Sequence, residues 1–174
     1  MTILYSFIFA MLLIFVCYQD FRYRTLSIIV LFFGGLLCFS NSIYVNGWNQ
    51  ALVFAGINLL LIGIQLAGIF IYFSIKQKKI VQIINTYLGS GDLWFYGIVA
   101  CSFSPANFVI FNLITCLLIL IVYTLISRYS LHQKTIPLAG CLALALLAVL
   151  ISSHIFSFIK PYDDYFIFSH FYNT

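Results

Sequence analysis

Glutamate is absent from this 174-residue sequence, and aspartate occurs four times, at Asp20, Asp92, Asp163 and Asp164. Charged residues make up 7% of the chain against 64% hydrophobic ones. A soluble domain carries roughly 25% charge, so a water-soluble globular fold is excluded. Eight Lys and Arg leave a net charge of +4, but they sit between apolar runs and form no tract, so no nucleic-acid partner is expected. The five cysteines, Cys17, Cys38, Cys101, Cys116 and Cys141, include no CxxC pair. The usual zinc and redox patterns are therefore missing, and these residues read as small buried hydrophobes. His132, His154 and His170 are scattered with no second ligand at helical spacing, so neither a metal nor a cofactor is expected. The first hydrophobic run lacks a basic start and small residues ahead of a cleavage point. It is expected to stay as a helix and not to act as a signal peptide.

What is present is a series of long apolar runs. The first extends from about Ile3 to Gln19 and is closed by Asp20-Phe21-Arg22-Tyr23-Arg24-Thr25; the second covers about Leu26 to Phe39. Asn41 to Gln50 reads as a polar loop, with a turn signal at Asn46-Gly47. A third run, Ala51 to Ile75, ends at Lys76-Gln77-Lys78-Lys79. Its Gly56, Gly63, Gly68, Asn58 and Gln65 are the small and amide residues that close helix packing in lipid favours. Ile80 to Leu88 is apolar but broken by Gln82, Asn85 and Thr86, and Gly89-Ser90-Gly91-Asp92 and Leu93 to Phe103 follow it. Ser104-Pro105-Ala106-Asn107 reads as a turn, Phe108 to Ser127 as a fifth span, Arg128 to Pro137 as a basic loop and Leu138 to Ile159 as the last span.

A hydrocarbon core about 30 Å thick takes roughly 20 residues per helix. The expected fold is therefore an all-α polytopic membrane protein, with about six transmembrane helices over residues 1–159 and an aromatic outer tail over 160–174. Leu93 to Phe103 alone rises only about 16 Å. Its crossing has to begin near or before the glycines, or the bilayer has to thin, and Asp92 lies at or inside the membrane boundary. With six crossings, Arg22, Arg24, Lys76, Lys78, Lys79, Arg128 and Lys134 share one face and Lys160 alone takes the other. The positive-inside rule then places the N-terminus and tail outside, and Asp20 and Asp92 together on the cytoplasmic side.

Ionisable groups at membrane depth are expensive, and they face the protein interior or a wet cavity. Two carboxylates brought together share a proton and can activate a water for attack on an amide, which is aspartic-protease chemistry. The plainer roles are a juxtamembrane partner of Arg22 or Arg24 for Asp20, and a helix N-terminal residue favourable to the macrodipole for Asp92. The glycines are a poor phosphate loop, because no strand precedes them and no Lys-Ser/Thr pair follows.

Gly89-Ser90-Gly91-Asp92 resembles the GxGD signature of intramembrane aspartic proteases, and the whole arrangement is similar to the prepilin peptidase (type IV leader peptidase) family. Asp20-Phe21-Arg22-Tyr23-Arg24-Thr25-Leu26 resembles that family's first aspartate motif, and Lys134-Thr135-Ile136-Pro137-Leu138-Ala139-Gly140 its third patch. The resemblance implies a membrane endopeptidase that removes the basic leader from prepilin-like or pseudopilin-like precursors at the cytoplasmic face of a prokaryotic inner membrane. It implies Asp20 and Asp92 as the catalytic pair and Gly89, Ser90 and Gly91 as the loop that presents Asp92, supported by Arg22, Arg24 and Pro137. No metal is implied, and the chain resembles the short form that lacks the cysteine-rich insertion and the methylation domain. It departs from the family pattern at Ser27, where Pro is usual, and at Trp94, where Lys is usual. Two other classes fit the same two aspartates: a small ion or proton-coupled transporter, and a non-catalytic membrane scaffold. Transporters commonly carry paired broken helices, and no second Gly-rich break matches Gly89 to Gly91. Tyr162, Tyr165, Phe166 and Phe168 around Asp163-Asp164 suit an outer interface, as do Tyr44 and Trp48.

Overall fold

The apolar runs fold as helices, because in lipid only a helix pairs every backbone amide within one segment. The computed structural model describes residues 3–78, 89–129, 138–156 and 160–164. They form α1 (Ile3–Tyr23), α2 (Ile28–Gln77), α3 (Ser90–Ala100), α4 (Pro105–Tyr129) and α5 (Leu138–Ile155), with no strand among the described residues. Three helices, α1, α2 and α5, are long and apolar enough to cross a membrane. Leu4, Phe7, Met11, Phe32, Phe33, Leu60, Leu117 and Leu120 all point outward. Large apolar side chains on the outside suit a helical protein bathed in lipid.

At 1.5 Å per residue the 50 residues of α2 would reach about 75 Å if straight, but a break at Gly47 divides them into two arms. Gly47 has φ 78° and ψ 165°, a region essentially closed to residues with a Cβ. Contacts with α3 reveal the direction of each arm. Along the first, Gly34 faces Ile98, and the Ser102 hydroxyl lies 3.1 Å from the Cys38 sulfur. Along the second, Asn58 Nδ2 donates to the carbonyls of Ala100 (2.8 Å) and Phe103 (2.9 Å), and the Tyr96 hydroxyl meets Gln65 Oε1 at 2.9 Å. Residue numbers rise together on the first arm and α3 and run oppositely on the second, so the arms fold back on each other about Gly47. The first arm also lies antiparallel to α1, with Tyr5 donating to the Leu37 carbonyl (2.8 Å) and the Ser27 amide to Gln19 Oε1 (3.2 Å).

α5 packs chiefly on α1. Between α3 and α4 lies an aromatic layer: Phe95 and Phe108 are fully buried, and Phe103 stacks on Phe111 with centroids 4.7 Å apart.

The structure corrects four sequence expectations. The Asn41–Gln50 stretch is helical apart from Gly47. Asn41 and Ser42 are buried, and Asn41 donates to the Tyr162 hydroxyl at 2.7 Å, so these polar side chains mark the bundle interior and not a loop. α1 runs on through Asp20 to Tyr23 and stops where Arg24 turns left-handed, at φ 56°. Pro105 opens α4 instead of sitting in a turn; proline suits a first helical position because its missing N–H has no partner there anyway. α5 ends at Ile155, four residues short of the expected Ile159. The Ile80–Leu88 run, His132, Lys134, Pro137, His170 and residues 165–174 lie outside the described residues.

Beyond α5, residues 160–164 are tied to the α3–α4 turn. The Ser104 amide donates to the Pro161 carbonyl (3.0 Å), and Asn107 Nδ2 to the carbonyls of Lys160 (3.2 Å) and Asp163 (3.1 Å).

Candidate functional site

The buried stripes of three helices end at one place. On α1 the buried positions Ser6, Phe9, Leu13, Val16, Cys17 and Asp20 follow helical spacing, and Asp20 is 4% exposed. On α3, Asp92 stands three and seven positions before the buried Phe95 and Val99. On α5, Ala139 and Gly140 head the stripe that continues through Ala143, Leu146 and Leu150.

At their meeting point the Gly140 amide donates to Asp20 Oδ2 at 2.5 Å, and the Ala139 amide donates to Asp92 Oδ1 at 3.1 Å. First-turn amides have no acceptor within their own helix, and they carry the positive end of the macrodipole. The opening of α5 thus holds two carboxylates from two other helices on consecutive peptide nitrogens. The two acids are within Coulombic reach of each other, and Arg24 is within reach of Asp20.

Three glycines make this approach possible. A Cβ at Gly140 would lie 2.8 Å from the Phe21 ring and 3.1 Å from Asp20 Oδ2. At Gly89 it would lie 3.0 Å from Asp92 Oδ2, and at Gly91 3.3 Å from the Leu26 Cβ. Gly89 is also the N-cap of α3, and its amide bonds to the Asp92 carboxylate. An acid at the third helical position reaching back to the cap amide is half of a capping box.

Of the residues singled out from the sequence, Asp20, Asp92, Gly89, Gly91 and Arg24 come together here. Ser90 is the exposed first residue of α3. Arg22 turns to aromatic rings instead, 5.9 Å from the Tyr18 centroid and 5.7 Å from that of Tyr23. Pro137 lies outside the described residues. Trp94 is 72% exposed. Sequence reasoning misses the amides of Ala139 and Gly140, since a backbone donor leaves no mark in residue type. It also misses Phe21, whose ring edge closes over Gly140. Of the cysteines, Cys17 and Cys38 are buried as expected, whereas Cys116 is exposed on α4. Among the described residues, no group of three or more His, Cys, Asp or Glu could hold a metal ion.

A buried carboxylate and a half-buried one on a dipole's positive end can share a proton and polarise a water, and they can equally serve as side-chain caps of α5. No family model, curated protein or solved structure matches this chain.

Proposed function

We propose that the chain is a membrane aspartic endopeptidase that cuts the basic leader from prepilin-like or pseudopilin-like precursors. The observation that carries the reading is the convergence of Asp20 and Asp92 on the adjacent amides of Gly140 and Ala139. It joins the order of the aspartate, GxGD and α5-opening motifs. In this reading α1, both arms of α2, a segment completed by α3, α4 and α5 make six crossings. The carboxylates face the cytoplasm of a prokaryotic cell, and residues 160–174 face outward. No cofactor takes part.

The chemistry needs one proton on the pair. A water held between the carboxylates gives its proton to the ionised one as its oxygen attacks the scissile carbonyl carbon, and the protonated one donates to the carbonyl oxygen. Collapse of the tetrahedral adduct breaks the C–N bond, and the amine leaves with a proton from the pair. The α5 amides orient both side chains throughout, so little reorganisation is needed when charge moves. The peptide has to be unwound at the cut, because a helix hides its carbonyl carbons from attack.

The same hydrogen bonds favour a second reading, in which the carboxylates only cap α5 and the protein is a scaffold. Co-expression with a prepilin-like precursor, comparing wild type with Asp20→Asn and Asp92→Asn, separates the two. Leader removal abolished by both changes at matched protein levels supports the peptidase; removal that persists in both, or never occurs, favours the scaffold.

A further inference from the structure

A peptide bond brought to Asp20 and Asp92 carries a side chain on either side of it, and what those side chains meet decides which peptides are cut. We infer that Phe21 is the specificity-determining residue of the site. Its ring receives the side chain of the residue just after the cut, the first of the precursor's apolar helix, and favours an aromatic or branched aliphatic group there. The inference rests on the peptidase reading.

The position of the ring is set by Gly140. A Cβ there would lie 2.8 Å from Phe21 Cε2 and 3.1 Å from Asp20 Oδ2, so ring and carboxylate oxygen are at most about 6 Å apart. Consecutive Cα atoms are about 3.8 Å apart, and a carbonyl carbon held over the pair therefore brings an adjoining side chain to the ring. Phe21 is also the group with surface to offer. It is 50% exposed, while Cys17, Ala139 and Gly140 around the same carboxylate are buried and Leu26, packed on Gly91 beside Asp92, is half-buried. One edge of the ring already rests against α5, so little side-chain freedom is lost when a second apolar group packs on the open part.

Charge decides which of the two flanking side chains faces the ring. Arg22 and Arg24 follow Phe21 on the same stretch, both are exposed, and Arg24 is within Coulombic reach of Asp20. A basic leader laid across this stretch is repelled. No acid offsets the repulsion, because the only acids besides the pair are Asp163 and Asp164, which are tied to Asn107 and Ser104 at the other end of α3. The opposite chain direction turns the leader away and sets the apolar residue on the ring.

The test uses four fluorogenic probes in vesicles containing the full chain. Each has the same basic leader and a twenty-residue Leu/Ala helix, and they differ only at the first helix residue, which is Phe, Leu, Ala or Ser. Wild type is expected to favour the Phe and Leu probes over the Ser probe at least about thirtyfold in kcat/KM. Phe21→Ala is expected to lower that ratio at least about fivefold, through KM, and Phe21→Leu to fall between the two. A damaged fold lowers all four probes together and leaves the ratio where it was, so the ratio reads the contact and not stability. A wild type indifferent to the residue after the cut, or a ratio unchanged in Phe21→Ala, overturns the inference and leaves the peptidase standing. Wild type that cleaves none of the four overturns the peptidase reading, and the inference with it.

Discussion

Gly140 and Phe21 are in contact so close that a single methyl group on the glycine would overlap the ring, 2.8 Å from its nearest carbon. Because the same glycine's amide holds Asp20, Gly140→Ala should cost about 1–3 kcal/mol through overpacking and displace the carboxylate. Gly56 has open space where its Cβ would go, so Gly56→Ala is expected to be neutral or slightly stabilising. Thermal unfolding of both variants in detergent checks the contrast, and near-equal melting temperatures would remove the packing argument.

Asparagine at position 20 keeps an oxygen that can accept from Gly140, so Asp20→Asn should fold with near-normal stability while cleavage falls about a hundredfold to ten-thousandfold. Asp20→Ala leaves the amide unpaired and should lose about 1–3 kcal/mol as well. Measuring both stability and leader removal tells catalysis from capping. A stable, fully active Asp20→Asn would contradict the assigned role.

Asn58 is completely buried, and its amide group serves the last carbonyl of α3 and that of Phe103 in the following turn. Asn58→Leu removes both donors from carbonyls that have few other options and should destabilise the protein by about 3 kcal/mol. Chemical denaturation followed by tryptophan fluorescence reads this directly.

Gly47→Ala confronts a different cost. The site is spatially open, with nothing within 4 Å of the added carbon, but its φ of 78° and ψ of 165° disfavour any side chain. About 1–3 kcal/mol is expected, along with a change in how the two arms of α2 meet. Cysteine pairs engineered across the arms should cross-link less efficiently in this variant than in wild type.

Helices are legible where an unbroken apolar run leaves the backbone no other means of pairing, as in α1, α4 and α5. The Asn41–Gln50 stretch misleads because composition cannot tell a polar side chain that faces water from one that faces Tyr162. The membership of Asp20 in a buried stripe is legible, for it follows Leu13, Val16 and Cys17 at helical spacing. That of Asp92 follows likewise from Phe95 and Val99. What joins the two acids is not legible from residue types alone: it is a pair of backbone amides on a helix more than forty residues beyond Asp92. The docking of residues 160–164 onto Ser104 and Asn107 is hidden for the same reason, since three of its acceptors are main-chain carbonyls.

The shortness of α3 has an electrical consequence. From Asp92 to Ala100 the helix rises only about 12 Å, against a hydrocarbon thickness of about 30 Å. In the proposed orientation, water reaching the carboxylates from the cytoplasm would bring the inner potential down to them. The whole membrane voltage would then fall across the remaining layer, where Phe95, Phe103, Phe108 and Phe111 are packed. Protons exchanged between the pair and the cytoplasm would do no electrical work. A proton slipping outward past the rings would carry the full gradient, about 2.3 kcal/mol for every 100 mV, which would make the aromatic layer the insulator that keeps the proposed hydrolytic site from becoming a leak.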